Sequence, residues 1–338
     1  MFDFINVPLG KVLQFFADIC GGNFAASVLV FTLFINLLLI PLSIKSQKST
    51  VQQLRIKPKL DELKKSCGDD KRKYNTELQK LYQQEGVSMS GGCLPMIIRL
   101  VIMMCIYTLI LSPVSYMTGA KSDDVKVVTK AVTDGLDDLK KENKTKYNEI
   151  VDDFSLDEES RSNAEIVLVR ILRKNPEAIK EIVPEKEFKK IEKEYESVKK
   201  EYEEADISFN LFGLDLTEEP EFGFDFAKDW KPIWLMPICA FLAQILTSII
   251  SMRIQKKNNP DAPTMAGMML TMPLISLFIG FGFPGAVCFY WICSSLIGGL
   301  IQSGVQLYYG PHKMLAKYRL KEMSLQADFE SNQIKKLQ

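Results

Sequence analysis

The sequence predicts an all-α polytopic membrane protein with five transmembrane helices. The chain has 338 residues, of which 47% are hydrophobic, and its 42 Lys and Arg balance its 42 Asp and Glu. These charges are strongly segregated: residues 24–44, 232–252 and 262–312 hold uncharged apolar runs when the one histidine is neutral. Uncharged runs of 18 or more apolar residues are typical of membrane spans rather than of helices buried in a soluble protein.

Each span follows from a run of about 20 apolar residues, the length that crosses a hydrocarbon core of about 30 Å. The first run predicts a span over 23–45, the second over 91–117 and the third over 232–252. The run 262–309 is long enough for a fourth and a fifth span. The break between them is expected at Gly280–Gly285, because glycine and proline interrupt helices there.

The remaining segments take their character from charge and spacing. Residues 1–22 lack the continuous apolar region of a signal peptide, and their apolar residues recur at helical spacing. They predict either an external amphipathic helix on the membrane surface or a short leader packed on the bundle. The other segments are predicted as a cytoplasmic helical hairpin (46–90), a mostly helical external insertion (118–231), a cytoplasmic loop (253–261) and a basic cytoplasmic tail (310–338).

Charge in the loops predicts the orientation. Residues 43–90 hold 11 basic residues against 6 acidic ones, whereas residues 118–231 hold 20 basic against 30 acidic. Basic loops stay in the cytoplasm, and five spans put the two chain ends on opposite sides. The N-terminus and the insertion are therefore expected outside, and the C-terminus is expected in the cytoplasm.

Two apolar stripes suggest that the hairpin is more than a connector. A turn at Cys67–Asp70 separates the stripes, and an inert loop that obeyed the positive-inside rule would need neither of them. The solvated loop remains the alternative. The residues proposed to receive a substrate on this hairpin are Leu54, Pro58, Leu60, Leu63, Leu78 and Leu81.

The sequence argues against covalent chemistry. The seven cysteines have no metal-site spacing, and His312 is the one histidine, so neither a His-ligated zinc nor a Ser-His triad is expected. There is no GxSxG elbow and no GxxxxGK[ST] phosphate loop. The spans contain no acidic residue, which leaves an ion-coupled transporter without its usual parts. A non-enzymatic protein without a metal or cofactor is therefore predicted.

Polar residues inside the spans are costly and mark candidate functional positions. At the helical rise, Arg99 lies about 9 Å and Asn36 about 12 Å from the cytoplasmic ends of neighbouring antiparallel spans, so the two side chains can meet at one depth. Thr32 lies one turn from Asn36 on the same face. Arg99 requires either a hydrated cavity open to the cytoplasm or an extended side chain that reaches lipid phosphates, and both interpretations stay open. Further candidates are Gln244, Ser294 and Trp291.

An ordered set of short motifs resembles the bacterial YidC-type membrane protein insertases, which are related to the Oxa and Alb proteins. The motifs are Pro8–Gly10, Phe31–Leu42 followed by Lys45 and Gln47, Leu54–Pro58, Leu81–Tyr82, Gly86–Val87, Gly91–Pro95, Leu211–Leu216, Trp234–Pro237 and Phe283–Trp291. They fall in the family's order over residues 1–117 and 207–310. The external segment 118–206 matches no part of the family that we recognise.

The resemblance implies a groove that is open to the cytoplasm and to lipid, with Thr32 and Trp291 in its lining. In the family, an arginine in the first core span attracts polar parts of a nascent chain. Here that position holds Asn36, and the family's usual glutamine in the second span is Arg99. The resemblance therefore implies that the positive charge has moved to the neighbouring helix, which favours the groove over the lipid-reaching interpretation of Arg99.

The expected function is insertion of nascent membrane proteins into the lipid bilayer of the bacterial plasma membrane, without ATP hydrolysis. The basic charge of the tail suggests contact with the ribosome through its RNA. The Sec translocon is a further candidate partner, and five helices around one groove suffice for action as a monomer. The alternative is a small-anion transporter or channel in which Arg99 is the selectivity charge.

Overall fold

A computed structural model describes residues 3–68, 70–87, 94–156, 163–220, 230–258 and 266–337. The fold is all-α, as predicted, with 84% of residues in helices. The helices in chain order are α1 (Asp3–Ile19), α2 (Phe24–Leu38), α3 (Ile40–Cys67), α4 (Lys71–Gln84), α5 (Leu94–Leu111), α6 (Pro113–Met117), α7 (Ser122–Glu142), α8 (Lys144–Phe154), α9 (Ala164–Lys174), α10 (Ile179–Ile182), α11 (Glu185–Ala205), α12 (Leu235–Asn258), α13 (Ala266–Gly280), α14 (Gly285–Tyr308) and α15 (Pro311–Leu337).

The chain divides into two compact units. The first comprises Met1–Ile35, Val101–Leu246 and Gly267–Ile297, and the second comprises Asn36–Leu100, Thr247–Ala266 and Gly298–Gln338. The first contains one antiparallel strand pair, β1 (Asn210–Leu211) and β2 (Leu214–Asp215).

Long apolar helices occupy the positions where spans were predicted. Within the described ranges, the segments Pro232–Lys257 and Gly285–Ser331 are long and apolar enough to cross a membrane, and α2 with α3 forms a third candidate bent by 46°. Leu100–Leu111 and Thr271–Gly280 are shorter apolar helices. Their arrangement as five spans around a groove stays a prediction.

Prolines divide two of the predicted spans into separate helices. Within 23–45, α2 ends at Leu38 and α3 begins at Ile40, with Pro41 in its first turn. Within 91–117, α5 ends at Leu111 and α6 begins at Pro113, whose predecessor has non-helical backbone angles. Proline lacks an N–H donor and disfavours a helical residue before it, so a helix breaks there and a new one starts.

The first helix of the chain packs on α6. Gly10 permits the contact, since a Cβ at this position would lie 2.6 Å from Cδ1 of Tyr116. Leu13 and Ala17 are buried, whereas Phe4 and Phe15 are exposed. The structure therefore has an amphipathic helix over Asp3–Ile19, with a second apolar face that no described residue covers.

The insertion (118–231) has its own apolar core in its described residues. Val125, Val128, Val132 and Leu136 recur at helical spacing on α7 and are all buried, and α11 packs along α7. On the same helix, a Cβ at Gly135 would lie 2.5 Å from the carbonyl oxygen of Ile182, so glycine allows α10 to approach closely.

A buried arginine joins three parts of the insertion. All residues of α9 from Ile166 to Leu172 are buried, including Arg170, which is 4% exposed. The Arg170 guanidinium donates to the carbonyl oxygens of Ser155 and Thr217. A buried charge needs such partners, because an unsatisfied one is strongly destabilising. Arg170 therefore holds the end of α8 and the segment after β2 against α9.

Backbone hydrogen bonds attach the insertion to the first residues of two apolar helices. The N–H of Phe24, at the start of α2, donates to Ser208 over 3.0 Å. At the start of α14, the N–H groups of Gly285 and Ala286 donate to the carbonyl oxygens of Glu218 (2.8 Å) and Leu216 (2.7 Å). The first N–H groups of a helix have no partner within it, so the insertion supplies acceptors that the helix lacks.

Candidate functional site

In the second unit, Asn36 faces α14 at a glycine. A Cβ on Gly298 would lie only 3.0 Å from Oδ1 of Asn36, and a Cβ on the adjacent Gly299 would lie 2.5 Å from Cγ2 of Thr247 on α12. Two consecutive glycines thus let polar side chains of two neighbouring helices approach α14. Small residues at helix contacts in membranes have this role. Asn36 itself is half-buried.

Arg99 lies in the second turn of α5, within the apolar sequence of that helix. Its side chain lies outside the described part of the chain. Around it on the helix, Ile97 and Leu100 are exposed, as is Met104 further on. The predicted meeting of Arg99 with Asn36 therefore stays a prediction.

In the first unit, the other polar candidates have partners of their own. Thr32 is buried, and its hydroxyl donates to the carbonyl oxygen of Val28 over 2.6 Å. The side chain of Gln244, on α12, lies 2.8 Å from the Ser276 hydroxyl on α13, which can donate to the Gln244 Oε1. The Ser294 hydroxyl lies near that of Tyr290, one turn away on α14. These bonds are of the kind that polar side chains form between or within membrane helices.

Trp291 belongs to a chain of three aromatic rings. Its ring lies edge-on to that of Phe283, with 6.1 Å between the centroids, and Phe283 lies edge-on to Tyr107 at 5.3 Å. Edge-to-face pairs at these distances are favourable. The rings link the start of α14 to α5 within the first unit. Trp291 is half-buried, so part of its surface remains accessible.

In the second unit, α3 and α4 contact each other and make a helical hairpin within residues 46–68 and 70–87. Its cytoplasmic placement stays a prediction. The stripe residues Leu54, Leu60, Leu63, Leu78 and Leu81 are half-buried, and Pro58 is exposed. The fully buried apolar residues of α3 are instead Val51, Ile56 and Cys67. The stripe is thus partly covered, since α4 and α15 pack on α3, and partly exposed.

An acidic residue at the end of α4 forms ion pairs with two basic residues of α3. Glu85 accepts from the Arg55 guanidinium at 3.0 Å and from the ammonium group of Lys59. The hydrogen bond from Lys59 is the largest cause that holds the pKa of Glu85 below its usual value; partial burial opposes it and the charge of Arg55 adds to it. These two ion pairs stabilise the antiparallel pairing of α3 and α4.

The tail helix α15 also packs on α3. Arg55 lies over the ring of Tyr318 at 5.8 Å, and Lys48 lies over that of Tyr309, just before α15, at the same distance. Cation–π contacts at this range contribute modestly at exposed sites. Hairpin and tail are therefore parts of one unit rather than independent segments.

Several of these residues escaped prediction. Gly298 and Gly299 carry a signal that could have identified them, because paired glycines in an apolar run are typical of close helix packing. Glu85 could have been matched to Arg55 and Lys59, which lie four residues apart on one helix face. Ser276 and Tyr107 carry no pattern that distinguishes them from other polar or aromatic residues of the spans.

A comparison with protein families identifies the group to which these helices belong. The model of the family described as "60Kd inner membrane protein" matches residues 15–154 and 188–310, which is more than half of the chain. The chain belongs to the YidC/Oxa family. This family match covers the apolar helices, the hairpin and most of the insertion. It also corrects one expectation, since residues 118–154 and 188–206 do match the family and 155–187 do not.

Curated relatives carry a name that describes a function. The chain is 36% identical over 116 residues to a protein of Caldanaerobacter subterraneus subsp. tengcongensis, covering 34% of this chain and 56% of that one. It is 39% identical over 111 residues to one of Alkalihalophilus pseudofirmus (31% and 44%), and 39% identical over 106 residues to one of Magnetococcus marinus (31% and 19%). Each is named "Membrane protein insertase YidC". The chain spans about half or less of these relatives' lengths.

Proposed function

We propose that this protein inserts nascent membrane proteins into the lipid bilayer, without ATP hydrolysis, through a hydrophilic groove that opens to the cytoplasm. Membership of the YidC/Oxa family is the observation that carries the proposal. The name shared by the curated relatives points to the same activity.

The charge of Arg99 is the proposed attraction for the client. By helical spacing, position 99 falls on the side of α5 that Met103, Ile106 and Ile110 occupy further along. Met103 is exposed, whereas Ile106 and Ile110 are buried, so this side of α5 runs from an accessible region into the packed part of the helix. An intramembrane arginine needs water or polar partners, and a groove at the accessible end of this side would supply them.

In the proposed mechanism, Arg99 attracts polar or acidic residues of a short translocated segment into the groove. Asn36, Thr32, Gln244 and Ser294 offer hydrogen bonds along the path, and Trp291 offers an aromatic surface. The apolar part of the client then partitions into lipid, at about 0.8 kcal/mol for each buried methylene, and this partition drives release.

The cytoplasmic parts would receive the client before it enters. The half-buried stripe of the hairpin offers apolar contact, and Lys313, Lys317, Arg319 and Lys321 of α15 offer positive charge to ribosomal RNA. Since α15 packs on α3, a ribosome held by the tail would release its chain beside the hairpin. Cooperation with the Sec translocon and action as a monomer belong to the same proposal.

Insertion of a single-span client into membrane vesicles tests the role of the charge. Arg99→Ala is expected to lower the insertion rate about tenfold, since one hydrogen bond to a charged group contributes about 1.5–3 kcal/mol. The double change Asn36→Arg with Arg99→Gln restores a charge to the groove and is expected to recover most of the rate.

Arg253→Ala is the matched control, because Arg253 is an exposed arginine near the C-terminal end of α12. A normal rate with Arg99→Ala would reject the charge as the client's attraction.

A photoreactive residue at position 99 or 291 should crosslink to a ribosome-bound membrane-protein chain. Anion flux in liposomes without such crosslinks would favour a channel instead.

A further inference from the structure

An open cavity in the first unit lies between α1, α6 and the start of α7. Its volume is about 470 Å³, within the range of small-molecule sites. Val7, Lys11 and Gln14 of α1 form one wall, Ser122 and Lys126 of α7 form another, and Tyr116 lies between them. None of these residues takes part in the proposed insertion path.

The polar lining of the cavity carries positive charge on two sides. Lys11 forms no ion pair among the described residues, and Lys126 lies 3.6 Å from the carboxylate of Asp123 at the cavity edge. Glu201 approaches the floor, where a Cβ on Gly119 would lie 2.1 Å from its Oε2. The two ammonium groups are balanced by the carboxylates of Asp123 and Glu201, so the cavity has no excess charge for a multiply charged anion and suits one singly charged group between the lysines.

The cavity adjoins the uncovered apolar face of α1. Positions 7, 11 and 14 face the cavity, and the exposed side chains of Phe4 and Val7 continue from this wall along the helix. A ligand with its charged end between the lysines would therefore have its apolar end beside these side chains. That combination describes an amphiphile rather than a free anion.

We propose that this cavity binds the headgroup of a membrane phospholipid. Its singly charged phosphodiester lies between Lys11 and Lys126, and its acyl chains run along Phe4 and Val7. The hydroxyl groups of Ser122 and Tyr116 and the amide of Gln14 supply further donors. The bound lipid would hold α1 to the insertion at the membrane surface.

The test measures lipid retention by the full chain. The protein is purified from mixed phosphatidylethanolamine–phosphatidylglycerol membranes, and the retained lipid is counted by native mass spectrometry. Dihexanoyl phosphatidylglycerol is then titrated into delipidated protein. The double variant Lys11→Gln, Lys126→Gln is expected to bind the short-chain lipid about tenfold more weakly, as expected for the loss of charge-assisted contacts.

The matched control is Lys130→Gln with Lys141→Gln. It removes the same charge from exposed positions of α7, and Lys141 has an acidic neighbour, Asp138, at the same 3.6 Å separation as Lys126 and Asp123. Equal loss of lipid in both double variants would reject the site. Displacement of the lipid by equimolar inorganic phosphate would also overturn the proposal, because it would identify an anion site without selectivity for lipid. Unchanged thermal unfolding of the variants excludes misfolding as the cause.

Discussion

At the scale of single residues, Phe212 combines two unfavourable properties. Its side chain is 99% exposed at the turn between β1 and β2, and its φ of 52° lies in the left-handed region. That conformation costs an ordinary residue about 1–2 kcal/mol, whereas Asn tolerates it better. The hairpin therefore keeps an aromatic ring in solvent and a strained backbone at the same position.

Phe212→Asn should consequently stabilise the protein, by about 0.5–1 kcal/mol, because it relieves the strain without removing a packed side chain. Chemical unfolding of the purified protein, followed by circular dichroism, measures the gain. Leu211→Asn is the control, since Leu211 is a half-buried strand residue and should lose stability. A loss with Phe212→Asn would mean that the ring has a partner in the assembled protein.

Arg170 marks the limit of prediction for individual side chains. Arg170 and Arg173 share one short helix, and charged residues are usually assigned to its surface. Arg173 does form a partly exposed ion pair with Asp215, at 3.0 Å, whereas Arg170 is buried between two carbonyl oxygens. The acceptors belong to segments distant in sequence, so no local pattern could predict them.

At the scale of elements, sequence patterns predicted helices well and their ends less well. Helix α11 begins at Glu185, because Pro184 separates it from the short helix α10. Val125, Val128, Val132 and Leu136 recur at helical spacing along α7 and are all buried, so this spacing marks a packed helix face. The breaks at Leu39 and Ser112 were missed because uninterrupted hydropathy outweighed the prolines that follow.

Glu165 joins α9 to α6 and makes this contact dependent on pH. Its carboxylate accepts from the N–H of Ser115 at 2.9 Å and from the Ser115 hydroxyl at 2.7 Å. Burial raises the pKa of Glu165 above 4.5, although these hydrogen bonds oppose the shift. The folded state thus favours the protonated carboxyl. Its contribution to stability is complete below pH 4.5 and is lost as the pH rises through the raised pKa.

Glu165→Gln should remove this loss, so that unfolding free energies of variant and wild type diverge with rising pH above 4.5. Denaturant midpoints at a series of pH values measure the difference. Glu149→Gln, at an exposed position of α8, is the control and should follow the wild type. Parallel curves for Glu165→Gln and the wild type would contradict the prediction.

The ion pairs of Glu85 with Arg55 and Lys59 stabilise the contact between the two hairpin helices. Glu85→Gln is expected to weaken the pairing by about 1 kcal/mol, a modest value because Lys59 is largely exposed. Hydrogen exchange of the α4 amides measures it. Glu77→Gln removes an ion pair within α4 alone, with Lys80, and should leave exchange nearly unchanged. Equal effects of the two variants would mean that the Glu85 ion pairs do not hold the helices together.

At the scale of the whole molecule, the loop charges predict which parts face the cytoplasm. A chain without its seven native cysteines can carry one new cysteine at Lys130 of the insertion or at Lys80 of the hairpin, both exposed positions. A membrane-impermeant maleimide added to intact cells should label position 130 and spare position 80. The reverse result would invert the proposed orientation.

The insertion also shows why a family resemblance alone could not describe the whole chain. Residues 155–187 lie outside the family match, yet α9 within them contributes an unbroken buried segment to the first unit. Motif comparison detects spans and turns, because backbone requirements keep those residues recognisable. A packed helix requires only apolar side chains of suitable size, which many sequences provide.

The backbone bonds from Gly285 and Ala286 to the insertion impose an order on biogenesis. Residues 216 and 218 leave the ribosome well before residues 285 and 286. The segment that carries the acceptor carbonyls has therefore already been synthesised when α14 is made. The donors can reach these carbonyls only after the start of α14 has been synthesised. Docking of α14 on the insertion is thus a late event, in which an early-made segment receives the last apolar helix.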